Sequence, residues 1–335
     1  MNALQFSILS TLALYAAEGR SALTQNEIYL YLHISLSFPP ASPKLQRGER
    51  KRESGNTNLG LDSLRQLADR GNDKMKENHR KPAEKEFADC IAELQKSGLI
   101  FKEGDYYSLE NRPGIAGENI KKARQSTEKI KKNEWPLWFL RAVPFARAIA
   151  VTGSVAMQNA RPTSDLDLLI ITQKGRIWTA RIVALLILEI FKRRREKSKE
   201  KICLNFFVAE GAVAPVQNIA SANMLARAVP LFGVKKYREF IAQNKWMENF
   251  IYSPTRITSE NEQASLPARF FEYFLSGRPG DALEKFFKDW QYRRFLKKIN
   301  SPEHLDHFVL TDEILMLHYP NPKNARIMVK LRVDR

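Results

Sequence analysis

The stretch that most constrains this chain runs from Ala148 to Thr172, AIAVTGSVAMQNARPTSDLDLLIIT. An apolar run breaks at Gly153-Ser154 and crosses a turn-forming segment. It resumes as a second apolar run that opens with Asp165 and Asp167. Side chains alternate between the faces of a strand, so carboxylates at i and i+2 project together. Two aligned carboxylates beside a backbone turn suit Mg2+, a hard cation that takes oxygen ligands and shares its shell with phosphates. Each half has a plainer reading. An Asp-x-Asp at a strand mouth is often only solvated, and Gly-Ser is common turn punctuation. Their order and their flanking apolar runs favour reading them together.

Over Val151 to Ile171 that arrangement resembles the nucleotidyltransferase superfamily, which includes DNA polymerase beta and the small bacterial minimal nucleotidyltransferases. The resemblance implies a mixed sheet with helices. Gly153 would let the backbone approach a nucleoside triphosphate (NTP), and Ser154 would bond a phosphate at the start of the next helix. Asp165 and Asp167 would hold two Mg2+ ions that bridge phosphates and activate an attacking hydroxyl, so that a nucleoside monophosphate is transferred. Ser164 would shape the turn on the nucleotide side, and Arg161 would either neutralise phosphate or simply be solvated.

The family places a third carboxylate on a later strand, usually as the base. The next strand candidate, Ile202 to Ala209, carries Asn205 at its centre, where alternation puts it on one face with Lys201, Cys203 and Phe207. Asn is a neutral ligand and cannot accept a proton as a base. Glu210, at the strand's end, would substitute only through a kink. Asn205 is therefore the doubtful third position. An active transferase stays open against a catalytically impaired regulator that binds DNA or a protein.

At 335 residues the chain has room for two or three domains, and 44% hydrophobic content is ample for packed cores. Lys and Arg number 54 against 37 acids, a formal charge of +17 that favours polyanions: nucleic acid, NTP or an anionic membrane surface. Cys90 and Cys203 lie far apart in apolar patterns and read as reduced core residues of a cytoplasmic protein without a zinc framework. The apolar N-terminus lacks a positive n-region, and Ile182 to Phe191 is too short to span a bilayer. No membrane span is expected.

The fold class read from the remaining pattern is α+β. Residues 4–33 suggest two helices, the second opened by a capping box at Thr24 and Glu27. The polar, charged segment 37–82 predicts disorder, with a brief helix at Leu61, Leu64 and Leu67. A helix follows from Glu84, then LIFKEGDYYSL reads as a hairpin. Helices and hairpin in this order resemble a winged helix-turn-helix domain over 1–117. In that family the third helix enters the DNA major groove. Here it carries Glu84, Glu86, Asp89 and Glu93, so contact with a protein is an equal reading.

The second domain, 118–215, would hold the nucleotidyltransferase-like core behind a basic linker helix. Trp135, Trp138 and Phe139 are expected to pack on the core, and Ile177 to Lys192 to form a buried helix. KRRREKSKEK after it reads as a solvated loop or a polyanion patch. The region 216–335 reads as helical. Met224, Ala228 and Leu231 fall at helical spacing, and two amphipathic helices over 267–298 have aromatics taken as core. His304 and His307 read as surface residues.

Overall fold

The computed structural model describes residues 2–33, 81–193, 201–252, 266–296 and 309–317. Nearly all of the 37–82 insertion, most of the basic run after Lys192, His304 and His307 lie outside the described residues. Among the described residues the chain is α+β, with eleven α-helices and a mixed six-stranded sheet. It forms two compact units. One comprises 2–33, 81–119 and 248–252, the other 120–193, 201–247, 266–296 and 309–317.

The first unit contains α1 (Ala3–Ala17), β1 (Ala22–Thr24), α2 (Gln25–Leu30), α3 (Glu84–Lys96), β2 (Phe101–Glu103) and β3 (Tyr106–Ser108). The expected capping box opens α2. Thr24 Oγ1 accepts the Glu27 N–H at 3.2 Å, and Glu27 Oε2 accepts the Thr24 N–H at 3.0 Å. The other Glu27 oxygen pairs with the buried Arg20 at 2.5 Å, which satisfies a charge that would otherwise be costly to bury. Helix α3 places Phe87, Cys90, Ile91 and Leu94 on one face, and these share a core with Ile8, Leu12, Ile28 and Tyr107. The expected hairpin is β2–β3, and β1 adds on the other side of β3 to give an antiparallel sheet in the order β1-β3-β2.

Helix α4 (Ile115–Lys132) runs on into the second unit. There follow α5 (Glu134–Phe139), β4 (Ala146–Thr152), α6 (Gly153–Ala156), β5 (Leu166–Thr172), α7 (Ile177–Ile190) and β6 (Ile202–Ala209). Then come α8 (Ile219–Ala226), β7 (Val229–Phe232), α9 (Val234–Gln243), α10 (Leu266–Phe274), α11 (Gly277–Leu296), β8 (Val309–Leu310) and β9 (Ile314–Met316). The sheet order is β7-β4-β5-β6-β9-β8. β5 and β6, joined through α7, run parallel, and every other neighbouring pair is antiparallel. β4 and β5 read as near-continuous apolar runs because both faces of the central sheet are covered. Ile149, Val151, Leu168, Ile170, Trp178, Leu188 and Phe207 share the core, each contributing roughly 1.5–3 kcal/mol of burial.

Helix α7 has no side-chain cap of its own. Its first free amides are instead taken by Glu284 of α11, whose carboxylate accepts the Trp178 and Thr179 N–H groups, each at 2.8 Å. On α10, Glu272 accepts the Phe145 N–H at 2.6 Å and pairs with Arg147 at 2.7 Å. Acids on the two late helices thus turn inward, Glu272 fixing α10 to β4 and Glu284 fixing α11 to α7.

Several expectations are corrected here. The region after 216 is not purely helical, since it supplies β7, β8 and β9, and Leu231 lies in a strand beside β4 rather than in a helix. Trp135, Trp138 and Phe139 are exposed rather than packed into the core, and Leu186 and Ile190 of α7 also face outward. The aromatics Phe270, Phe271, Tyr273, Phe274, Phe286 and Trp290 on α10 and α11 are exposed as well, because the inner faces of these helices are used by Glu272, Glu284, Phe287 and Gln291. No described helix is long and apolar enough to cross a membrane.

Candidate functional site

The end of β4 meets the start of β5. Their antiparallel register sets Thr152 opposite Asp167, so the Gly153-Ser154 turn lies directly beside the second carboxylate. Gly153 has φ +66°, in the left-handed region that favours glycine. A Cβ built there would come within 2.7 Å of Asp167 Oδ2. The glycine is therefore required twice, by its backbone and by the space it leaves next to that carboxylate. Gly153→Ala is expected to cost about 1–3 kcal/mol of stability through local strain. It should also lower any Mg2+-dependent NTP affinity by about tenfold or more, the range in which displaced supporting groups act on metal sites. A thermal melt and a nucleotide titration measure both, and unchanged affinity would separate the turn from the site.

The short helix α6 that follows is a single turn, from Gly153 to Ala156. The segment beyond it is tied down by α4: the Ala160 N–H donates to Ser126 Oγ at 3.1 Å, and Lys129 Nζ donates to Pro162 O at 3.0 Å. Ser164 Oγ accepts the Arg161 N–H at 2.9 Å and so closes the turn before the acids. Arg161 itself is exposed.

Parallel pairing of β5 with β6 sets Asp167 opposite Cys203, with a register irregularity just beyond it. The Asn205 amide donates to Asp167 Oδ1 at 2.9 Å. Asp165 Oδ2 accepts the Cys203 thiol at 3.1 Å and pairs with Lys201 Nζ at 3.2 Å. The Cys203 thiol is pushed up to about 12, first by burial, then by its bond to Asp165 and the charges of Asp167 and Asp165, with Lys201 opposing. It is a free, half-buried thiol that acts as a neutral donor to Asp165, rather than the core residue expected.

The structure thus gathers Gly153, Asp165, Asp167 and Asn205 at one end of the sheet, with Ser154 next in the turn and Ser164 closing the loop above the acids. Glu210 is excluded as a substitute third acid. It follows the other end of β6, roughly 20 Å from Cys203 at about 3.3 Å of rise per residue. There it pairs with Lys236 at 3.0 Å. Two participants escaped the sequence reading as such. Lys201 supplies the cation beside Asp165, and its position just before an apolar run was the available signal. Arg227, a buried residue at the end of α8, donates to Met157 O at 3.4 Å in the segment after the Gly-Ser turn. Nothing in its local sequence marks it.

Among the described residues no group of three or more His, Cys, Asp or Glu side chains is placed to hold a metal. The donor set present is two carboxylates at alternate positions, the second lying against the Gly153 backbone. That set fits one hard cation completed by phosphate oxygens and water better than it fits two. No protein-family model matches the chain, and no match was found among curated proteins or solved structures.

Proposed function

We propose that the second unit binds a nucleoside triphosphate with Mg2+ and transfers a nucleoside monophosphate to a hydroxyl acceptor, in the manner of a nucleotidyltransferase: the acceptor oxygen bonds the α-phosphorus, pyrophosphate leaves and the hydroxyl proton passes to water. The observation that carries this reading is the register that sets the left-handed Gly153 turn against the Asp167 carboxylate, with Asp165 two residues before it. Asp165 and Asp167 would hold the ion, which would neutralise phosphate charge and polarise the group transferred. Gly153 would let the backbone approach the phosphate chain, Ser154 would offer a hydroxyl, and Lys201 offsets part of the carboxylate charge. Transfer would rest on positioning and charge neutralisation, since β6 presents Asn205 rather than a base. Use of NTP goes with a cytoplasmic location in this reading.

The first unit is proposed as a winged helix, supported by its helix order and its three-stranded sheet with the β2–β3 hairpin. The outer side of α3 exposes Glu84, Glu86, Asp89 and Glu93 against Lys85 and Lys96. That balance favours a protein partner over the phosphates of a DNA groove.

One observation favours a second reading, a nucleotide sensor without transfer activity: Asn205 occupies the third position and binds Asp167 through its amide. Incubation with each α-labelled NTP and Mg2+, with and without cell extract, tests the two. Label on a macromolecule is the expected result. Binding without transfer in the natural chain, with transfer appearing in Asn205→Asp, would establish the sensor instead. Neither binding nor transfer in either protein would remove both readings.

A further inference from the structure

We propose that α5 and the C-terminal end of α7 form a docking surface for an anionic lipid bilayer. The surface is apolar at its centre. Trp135 is 69% exposed, Trp138 53%, Leu186 59% and Ile190 76%. Ring contacts make it continuous. Trp135 meets Trp138 with centroids 6.4 Å apart, Trp138 meets Phe139 at 5.0 Å, and Phe139 reaches Phe191 at 5.2 Å, joining the two helices. Isolated exposed apolar residues need no explanation, but a joined patch of this kind marks a contact surface.

The rim identifies the partner. Lys131 and Lys132 end α4, Lys192 and Arg193 follow α7, and Arg193 Nη2 donates to Lys132 O at 3.3 Å, which brings the two basic ends together. The acids nearest in sequence are Glu134 and Glu189, so cations outnumber anions around the patch. Trp sits favourably at the headgroup level of a bilayer, aliphatic tips enter the acyl boundary, and Lys and Arg pair with anionic headgroups. A second copy of the chain would bring the same four cations face to face across a two-fold contact. Nucleic-acid bases stack on aromatic rings, but Leu186 and Ile190, between them the most outward part of α7, offer no ring to stack on.

The surface borders the candidate site. Arg193 O accepts the Ile202 N–H at 3.0 Å, and the preceding residue, Lys201, pairs with Asp165. A docked protein would therefore hold that end of its sheet near the membrane. The inference stands on exposure and charge and does not depend on NTP binding.

Co-sedimentation of the full chain with phosphatidylcholine vesicles, with and without phosphatidylserine, tests it. Binding is expected with phosphatidylserine, weakening as salt is raised, with a blue shift of Trp fluorescence. Trp135→Ser with Trp138→Ser, and separately Lys131→Glu with Lys192→Glu, should each lower vesicle affinity by about tenfold or more. All four residues are exposed, so both variants should keep the natural circular dichroism spectrum. Absence of binding to phosphatidylserine vesicles would overturn the proposal, as would binding unaffected by either folded variant. Binding of a single-stranded homopolymer through the same four residues, without vesicle binding, would overturn it in favour of nucleic acid.

Discussion

Asp165→Asn combined with Asp167→Asn is expected to abolish Mg2+-dependent NTP binding while leaving the fold in place. The substitutions keep side-chain shape and remove both negative charges at the sheet end where the Gly153 turn lies. Losing an outer partner of a metal site already costs 10–100-fold, so the loss of both carboxylates should exceed about 100-fold. The partners left behind are tolerable. Lys201 is part-exposed and can turn to solvent, and Cys203 is a neutral thiol that can bond an amide oxygen. Stability should therefore change little. Titration of a fluorescent NTP analogue with Mg2+, then with a chelator, measures the effect. An affinity equal to that of the natural chain would mean that the two acids only stabilise the mouth of β5.

Gly233→Ala is expected to have a large effect on stability. Gly233 precedes α9 with φ +69°, and a Cβ there would lie 2.0 Å from Arg147 O and 2.7 Å from Ala148 Cα. Both are backbone atoms of β4, the strand that carries the Gly-Ser turn at its far end. A strained left-handed residue alone costs about 1–2 kcal/mol. Here the clash cannot be relieved by rotating a side chain, so β7 and α9 must move away from β4. A loss above about 4 kcal/mol is expected, in the exceptional range for one substitution. Urea denaturation followed by circular dichroism reads it, and a loss under about 1 kcal/mol would contradict the close approach.

Local signals read well in this sequence. The Thr24 capping box, the α3 stripe and the β2–β3 hairpin each depend on residues within a few positions, and the structure contains all of them. The Gly-Ser turn and the Asp pair were legible because each is short and flanked by an apolar run. Failures came where a distant partner decides the outcome. Leu231 falls at helical spacing from Ala228 and Met224, yet pairing with β4 makes it a strand. Trp135 and Ile190 are apolar enough for a core, but composition cannot say which side of a helix another element will cover. Lys201 acquires its role only because β6 lies parallel to β5.

The capping of α7 by Glu284 has a consequence for the order in which a growing chain can finish this unit. When β4, β5, α7 and β6 have left the ribosome, the amides of Trp178 and Thr179 still lack the carboxylate that takes them, over a hundred residues further on. β6 is then an open edge, because β9 pairs with it only after residue 314 has been made. An unpaired strand as apolar as Ile202–Ala209 is an aggregation hazard during that interval. Synthesis that stalls between β6 and β9 should therefore yield insoluble product, and the last segments made, α11 and β9, close the unit by capping α7 and pairing with β6.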